Sequence, residues 1–166
     1  EARRPPWDGG FSWEKDANDR HFIATSNQGI GSSIWWPNKD HPYDEPDMGT
    51  DLIITAPAEL VAVGNGRLVG LKDAGDMKSW HWKVVNLINN YGININIGDY
   101  MHFSEKYAGE AGELDMDYWV LKENEIKARK QFAQAAMTMR AFEYWFGPYP
   151  FYEDGYKLVE VPYLGM

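Results

Sequence analysis

The sequence predicts a mainly β protein, an antiparallel β-sandwich or saddle-like sheet domain with one long helix near its C-terminal end and a strand after it. Three observations predict this. From Asp51 to Ile97 short apolar runs, several alternating with a period of two, are punctuated by Gly, Pro, Asn and Asp. Further on the period changes: Ala128, Phe132, Ala135, Met139, Phe142 and Phe146 are spaced by four, three, four, three and four residues, one face of a helix. Gly147-Pro148-Tyr149-Pro150 then stops the helix, since Pro cannot continue it and Gly tolerates the cap geometry.

Taken in order, residues 1–20 read as a loop packed down by Trp7, Phe11 and Trp13. His21 to Thr25 reads as a short strand, followed by the turn Ser26-Asn27-Gln28-Gly29-Ile30-Gly31. Ile34-Trp35-Trp36 runs into a Pro-rich polar loop that ends near Pro46. Leu52 to Ala56 is a compact strand ended by Pro57. Leu60-Val61-Ala62-Val63 and Arg67 to Leu71 flank Gly64-Asn65-Gly66, which predicts a hairpin. Lys72 to Lys78 reads as a second turn. Ser79 to Val85 places Trp80, Trp82 and Val84 on one face, with His81 opposite. Gly92 to Ile97 sets an isoleucine face against an asparagine face, so the whole reads as a meander buried on one side.

Residues 104–113 read as a Gly/Glu-rich surface loop at a domain boundary, with 1–103 forming one part and 104–166 a second. Leu114 to Leu121 is a strand, Asn124 an N-cap, and Glu125 to Phe146 a single helix. Tyr156 to Val161 is the closing strand, leading into Pro162-Tyr163-Leu164-Gly165-Met166.

Composition bounds the function. A chain of 166 residues suits one domain, or one and part of another. A formal net charge of −9 argues against a nucleic-acid partner, which needs a basic stripe. With no cysteine there is neither a disulfide framework nor a Cys-metal cluster. No apolar run approaches the roughly 18–20 residues of a membrane span. Glu1-Ala2-Arg3-Arg4-Pro5-Pro6 lacks the hydrophobic segment of a signal peptide, so any export signal would lie upstream. The eight Trp and ten Tyr fit either an aromatic core or a surface that faces glycan or peptide.

Chemistry-bearing motifs are sparse. There is no His-Glu-x-x-His, Gly-x-Ser-x-Gly or phosphate loop, and His21, His41, His81 and His102 lie far apart. No metal site is expected from this chain, and no catalytic residue. Asp44-Glu45-Pro46-Asp47 reads as a turn rather than a calcium loop. Gln28, beside two glycines, carries a neutral amide that can accept a hydrogen bond from a ligand ammonium, or is an exposed turn residue.

Gln28-Gly29-Ile30-Gly31-Ser32-Ser33-Ile34-Trp35-Trp36-Pro37-Asn38-Lys39-Asp40, Leu60 to Gly66, Asn89-Asn90-Tyr91, Gly147-Pro148-Tyr149-Pro150 and Pro162 to Met166 together resemble the aminopeptidase N-like zinc metallopeptidases, in particular their secreted bacterial branch. The resemblance covers nearly the whole chain in order. It implies the later part of an N-terminal saddle-shaped β domain followed by the opening strand, helix and strand of a thermolysin-like catalytic domain. It also implies an extracytoplasmic location, zinc in the parent enzyme, and a peptide N-terminus as substrate. Carried over residue by residue, Gln28 is the residue that binds the substrate α-amine. Gly165 presents backbone to the substrate, with Tyr163 and Met166 lining the pocket. The family's Gly-x-Met-Glu-Asn signature falls at Leu164-Gly165-Met166, with Leu164 in place of the usual first Gly. The zinc ligands and general base are expected beyond Met166, leaving these residues inactive alone. The competing expectation is a stand-alone binding module for peptide or glycan. Unpaired strand edges add the expectation of a homodimer.

Overall fold

The computed structural model describes residues 9–39 and 41–164. Their backbone is mainly β and divides into two compact units, Glu1–Asp99 with Val161–Met166, and Tyr100–Glu160.

The first unit holds β1 (Gly10–Lys15), β2 (His21–Ser26), β3 (Thr50–Pro57), β4 (Val61–Gly64), β5 (Arg67–Ala74), β6 (Met77–Val84) and β7 (Ile95–Gly98). Two antiparallel sheets form, with orders β1-β2-β7-β4 and β3-β6-β5. Phe22, Ala24, Ile54, Leu60, Ala62, Val63, Trp80, Trp82 and Val84 are buried. Trp80 and Trp82 share the inward face of β6, and the Trp82 indole Nε1 donates to the Ala62 carbonyl at 2.9 Å. His81 turns the other way and reaches Asp51, as the alternation predicts.

Four local expectations change. Part of the predicted N-terminal loop is the edge strand β1, on which Phe11 and Trp13 stay exposed. Gly64-Asn65-Gly66 does not close a hairpin. Instead β4 pairs with β7 while β5 pairs with β6, so these residues carry the chain from one sheet to the other. Side chain and backbone both enforce the crossover. Asn65 donates to the Gly92 carbonyl (2.9 Å) and accepts from the Asn94 amide (2.7 Å), while Gly66 has φ 72 with the Lys83 carbonyl where a Cβ would sit. The true hairpin is β5–β6, tightened at Gly75-Asp76 inside the stretch expected as a longer turn. The asparagine face of β7 is not a solvent face: Asn96 is buried, while Ile95 and Ile97 are half-buried.

The second unit holds β8 (Tyr100–Gly109), β9 (Gly112–Leu121), α1 (Glu125–Phe132), α2 (Ala135–Phe146) and β10 (Tyr156–Val159). Residues 104–113, expected as a loop, are the outer half of the β8–β9 hairpin, whose register runs unbroken from Tyr100↔Leu121 to Gly109↔Gly112. Tyr107, Leu114, Met116 and Tyr118 project from it into a core completed by Ala135 and Met139. β10 is parallel to β9, which is why a helical crossover must join them. The expected single helix breaks at Ala133-Gln134. Asn124 makes no side-chain cap bond, and its amide instead donates to Glu160 Oε1 at 2.7 Å. The buried stripe also drifts. Ala128, Ala135, Met139 and Glu143 face inward, leaving Phe142 and Phe146 exposed. No helix is long and apolar enough to cross a membrane among the described residues.

Candidate functional site

The candidate site is the loop that leaves β2. Asn27, Gln28, Gly29, Ile30 and Gly31 follow the strand directly, and the two glycines take φ of 86 and 98. Asn27 is buried and fully used. Its Nδ2 donates to the Tyr91 carbonyl (2.6 Å) and the Ile93 carbonyl (2.9 Å), and its Oδ1 accepts from the Trp35 indole (2.6 Å). Gln28 is the next residue and is exposed, so its amide projects from a fixed point into solvent.

A second amide holds the other side of the loop. Asn90, also buried, donates to Asn38 Oδ1 at 3.2 Å and to the Lys39 and His41 carbonyls. Asn38 in turn donates to the Trp36 carbonyl at 2.9 Å. Buried amides are worth this many bonds because an unpaired donor in the interior carries its full desolvation cost.

Tyr163 reaches the same place. Its hydroxyl donates to the Thr25 carbonyl at 3.0 Å, three residues ahead of Gln28 in the chain. Burial pushes the phenol up from its ordinary value, with a hydrogen bond involving Ser26 opposing it, so it stays protonated as a donor at neutral pH. Gly165 and Met166 lie outside the described residues. The Asn27 and Asn90 struts were not singled out from the sequence. The signal that could have found them is the density of asparagine at Asn86, Asn89, Asn90, Asn94 and Asn96.

The histidines are each engaged locally. His21 accepts from Trp13 Nε1 (2.9 Å), His81 pairs with Asp51 (2.6 Å), His102 pairs with Asp117 (2.7 Å) and stacks on Trp119, and His41 accepts from the Tyr43 amide. Among the described residues no three His, Cys, Asp or Glu side chains gather where they could hold a metal ion. The described residues therefore supply no ligand set for zinc. Of the tryptophans that could make an exposed binding surface, Trp13 is open to solvent, Trp35 and Trp36 are half-buried, and Trp7 lies outside the described residues.

This two-unit architecture, a β unit whose loop meets the segment after β10, has solved counterparts. An M1 zinc metallopeptidase from Deinococcus radiodurans superposes with a TM-score of 0.77 at 18% identity, over 98% of this chain and 35% of its own. The same kind of enzyme bound to a Tyr-Ser-Ala substrate gives 0.72 at 18% identity, over 100% and 37%. Aminopeptidase A of Legionella pneumophila gives 0.69 at 17% identity, over 90% and 17%. The chain has an aminopeptidase N-like fold. It spans about a third of the length of the Deinococcus enzymes. No protein-family model matches the sequence, and no curated protein does.

Proposed function

We propose that this chain is the substrate-anchoring part of a zinc-dependent aminopeptidase and has no peptidase activity by itself. The observation that carries the reading is the fold, shared over nearly the whole chain with M1 zinc metallopeptidases about three times as long. Gln28 is the anchor for the cationic N-terminus of a peptide, its exposed amide oxygen accepting from the ammonium without burying a second charge. Tyr163 binds the base of the same loop. Anchoring matters because an exopeptidase must fix the distance from the α-amine to the reacting carbonyl, and such positioning supplies a large share of the rate.

A second observation supports a larger parent domain. Arg140 and Glu143 are the only charged residues of α2, and Glu143 is buried, yet Met137, Phe142, Tyr144, Trp145 and Phe146 are exposed. A helix apolar on every side is a helix of a larger interior.

The test is an assay of aminoacyl-nitroanilide hydrolysis with added zinc, by this chain and by a longer polypeptide from the same coding sequence. The expected result is no turnover by the chain and chelator-sensitive turnover by the longer form. In the longer form, Gln28→Ala should raise KM about tenfold or more, the scale of one lost hydrogen bond to a charged group. Chelator-sensitive turnover by the chain alone would overturn the reading, as would an inactive longer form.

A further inference from the structure

The candidate loop leaves unexplained the most heavily bonded carboxylate in the second unit. Glu143 occupies an inward position of α2, where the helical period calls for an apolar residue, and only 3% of it is exposed. Both oxygens are satisfied twice. Oε2 accepts from the Tyr107 hydroxyl (2.8 Å) and the Glu110 amide (3.2 Å), and Oε1 accepts from the Tyr152 hydroxyl (2.8 Å) and the Tyr149 amide (3.2 Å).

All four of these donors are uncharged, so the carboxylate is held by oriented dipoles. Tyr107 lies on β8, Glu110 at the β8–β9 turn, and Tyr149 and Tyr152 on the connection from α2 to β10. Gly109 closes the space, since a Cβ there would stand 2.9 Å from Glu143 Oε1 and 2.7 Å from Tyr107 Cε1. The ionisable groups around the carboxylate are Tyr107, Tyr149 and Tyr152, the acidic Glu110 beside the turn, and Arg140 on the same helix, which acts on the Tyr107 hydroxyl.

β10 itself is weakly founded. It has four residues and pairs along one edge only, with β9. Carboxylates bracket it. Glu143 grips the connection that precedes it. Glu160, the residue after its last, accepts from the Leu121 amide (2.9 Å) and Asn124 Nδ2 (2.7 Å). α2, by contrast, is seated in the core of the unit through Ala135 and Met139.

We infer that Glu143 is the positioning residue for β10, locking the connection between α2 and β10 onto the tip of the β8–β9 hairpin and so setting where the strand lies. The consequence for substrate rests on the aminopeptidase reading, since β10 leads directly to Tyr163 and Gly165. The positioning itself does not.

Backbone amide exchange on the full chain tests it without peptide or zinc, so failure of the aminopeptidase reading leaves the outcome unaffected. Three forms are compared at neutral pH and near pH 4, after correction for intrinsic rates: the natural chain, Glu143→Gln and Met139→Ala. In Glu143→Gln, amides of 149–159 should exchange about tenfold faster, the loss expected of one charge-assisted bond, while α2 and β9 lag behind. Met139→Ala, which opens the core without removing a donor to the carboxylate, should speed the whole unit together. In the natural chain the β10 amides should loosen on acidification, and in Glu143→Gln that response should be smaller, with Glu160 the carboxylate that remains beside the strand. If Glu143→Gln does not fold, Tyr152→Phe removes a single donor and should speed 149–159 by a smaller factor. Natural exchange at β10 in the folded variant used, a pattern identical to Met139→Ala, or an unchanged acid response in Glu143→Gln would each overturn the inference.

Discussion

The Trp35 indole donates to Asn27 Oδ1 across 2.6 Å while the same amide, through Nδ2, holds the carbonyls of Tyr91 and Ile93. One buried side chain thereby joins the end of β2, the turn containing Trp35 and the segment before β7. Gln28 comes directly after this junction, so its backbone direction is fixed by interactions that it does not itself make.

Replacing Asn27 by Ala leaves two carbonyls and an indole without their partner. Each unsatisfied buried group costs about 1–3 kcal/mol, with partial relief from water, so Asn27→Ala should lose roughly 2–4 kcal/mol. A urea unfolding midpoint lowered accordingly, at unchanged slope, is the expected result. Asn27→Ala at the natural midpoint would show that the junction is dispensable.

Tyr163→Phe removes only the donor to the Thr25 carbonyl. The loss should be about 1 kcal/mol, the net worth of an ordinary hydrogen bond. The same substitution should raise amide exchange in the loop after β2 without affecting the second unit, and exchange by residue is the measurement that decides.

Gly66→Ala places a methyl group against the Lys83 carbonyl at a positive φ. The chain must either shift β6 or abandon the turn between sheets, so a loss of about 2 kcal/mol or more is expected. Thermal unfolding checks this, and an unshifted Tm would mean that the crossover is not constrained as described.

Stability should depend on acid through Glu143. Burial pushes its carboxyl up, but the bonds from Tyr107, Tyr152 and the Tyr149 and Glu110 amides outweigh burial and hold it below the usual value. A carboxylate with a lowered folded-state pKa contributes its stability above the unfolded value, about 4.3, and loses it as pH falls through the folded value. Glu143→Gln should therefore be less stable than the natural chain at pH 7, with the gap closing in acid. Urea midpoints of both forms across that range are the measurement, and a constant gap would contradict the cause assigned. Asp16 has the same sign: burial raises it, and the Arg20 and Asn18 amides with the Arg20 guanidinium outweigh burial and hold it below the usual value.

Much of this was legible from local pattern. Period two marked β6, β7 and the start of β9, because a strand with one inward face must alternate, and compact apolar runs marked β3 and β4. Gly147 and Pro148 marked the end of α2 through their backbone limits, and Gly147 has φ 84 there. The resemblance of Gln28 to Trp36 and Pro162 to Met166 to aminopeptidase N-like enzymes pointed to the same fold that the solved structures share.

Partnership was settled only by the tertiary structure. Gly64-Asn65-Gly66 has the composition of a hairpin, yet strands that follow one another closely went to different sheets, because Asn65 found better partners at Gly92 and Asn94 than a tight turn offers. β10 could be recognised as a strand but not as parallel to β9, since direction depends on the crossover between them. Glu143 could not be read at all. Its place on the polar or apolar side of α2 depends on four donors from segments distant in sequence, and a buried carboxylate is tolerable only where such donors converge. Residue type and spacing determined which segments became strands and helices. Long-range hydrogen bonds, whose strength depends on geometry and on exclusion of water, decided which of them meet.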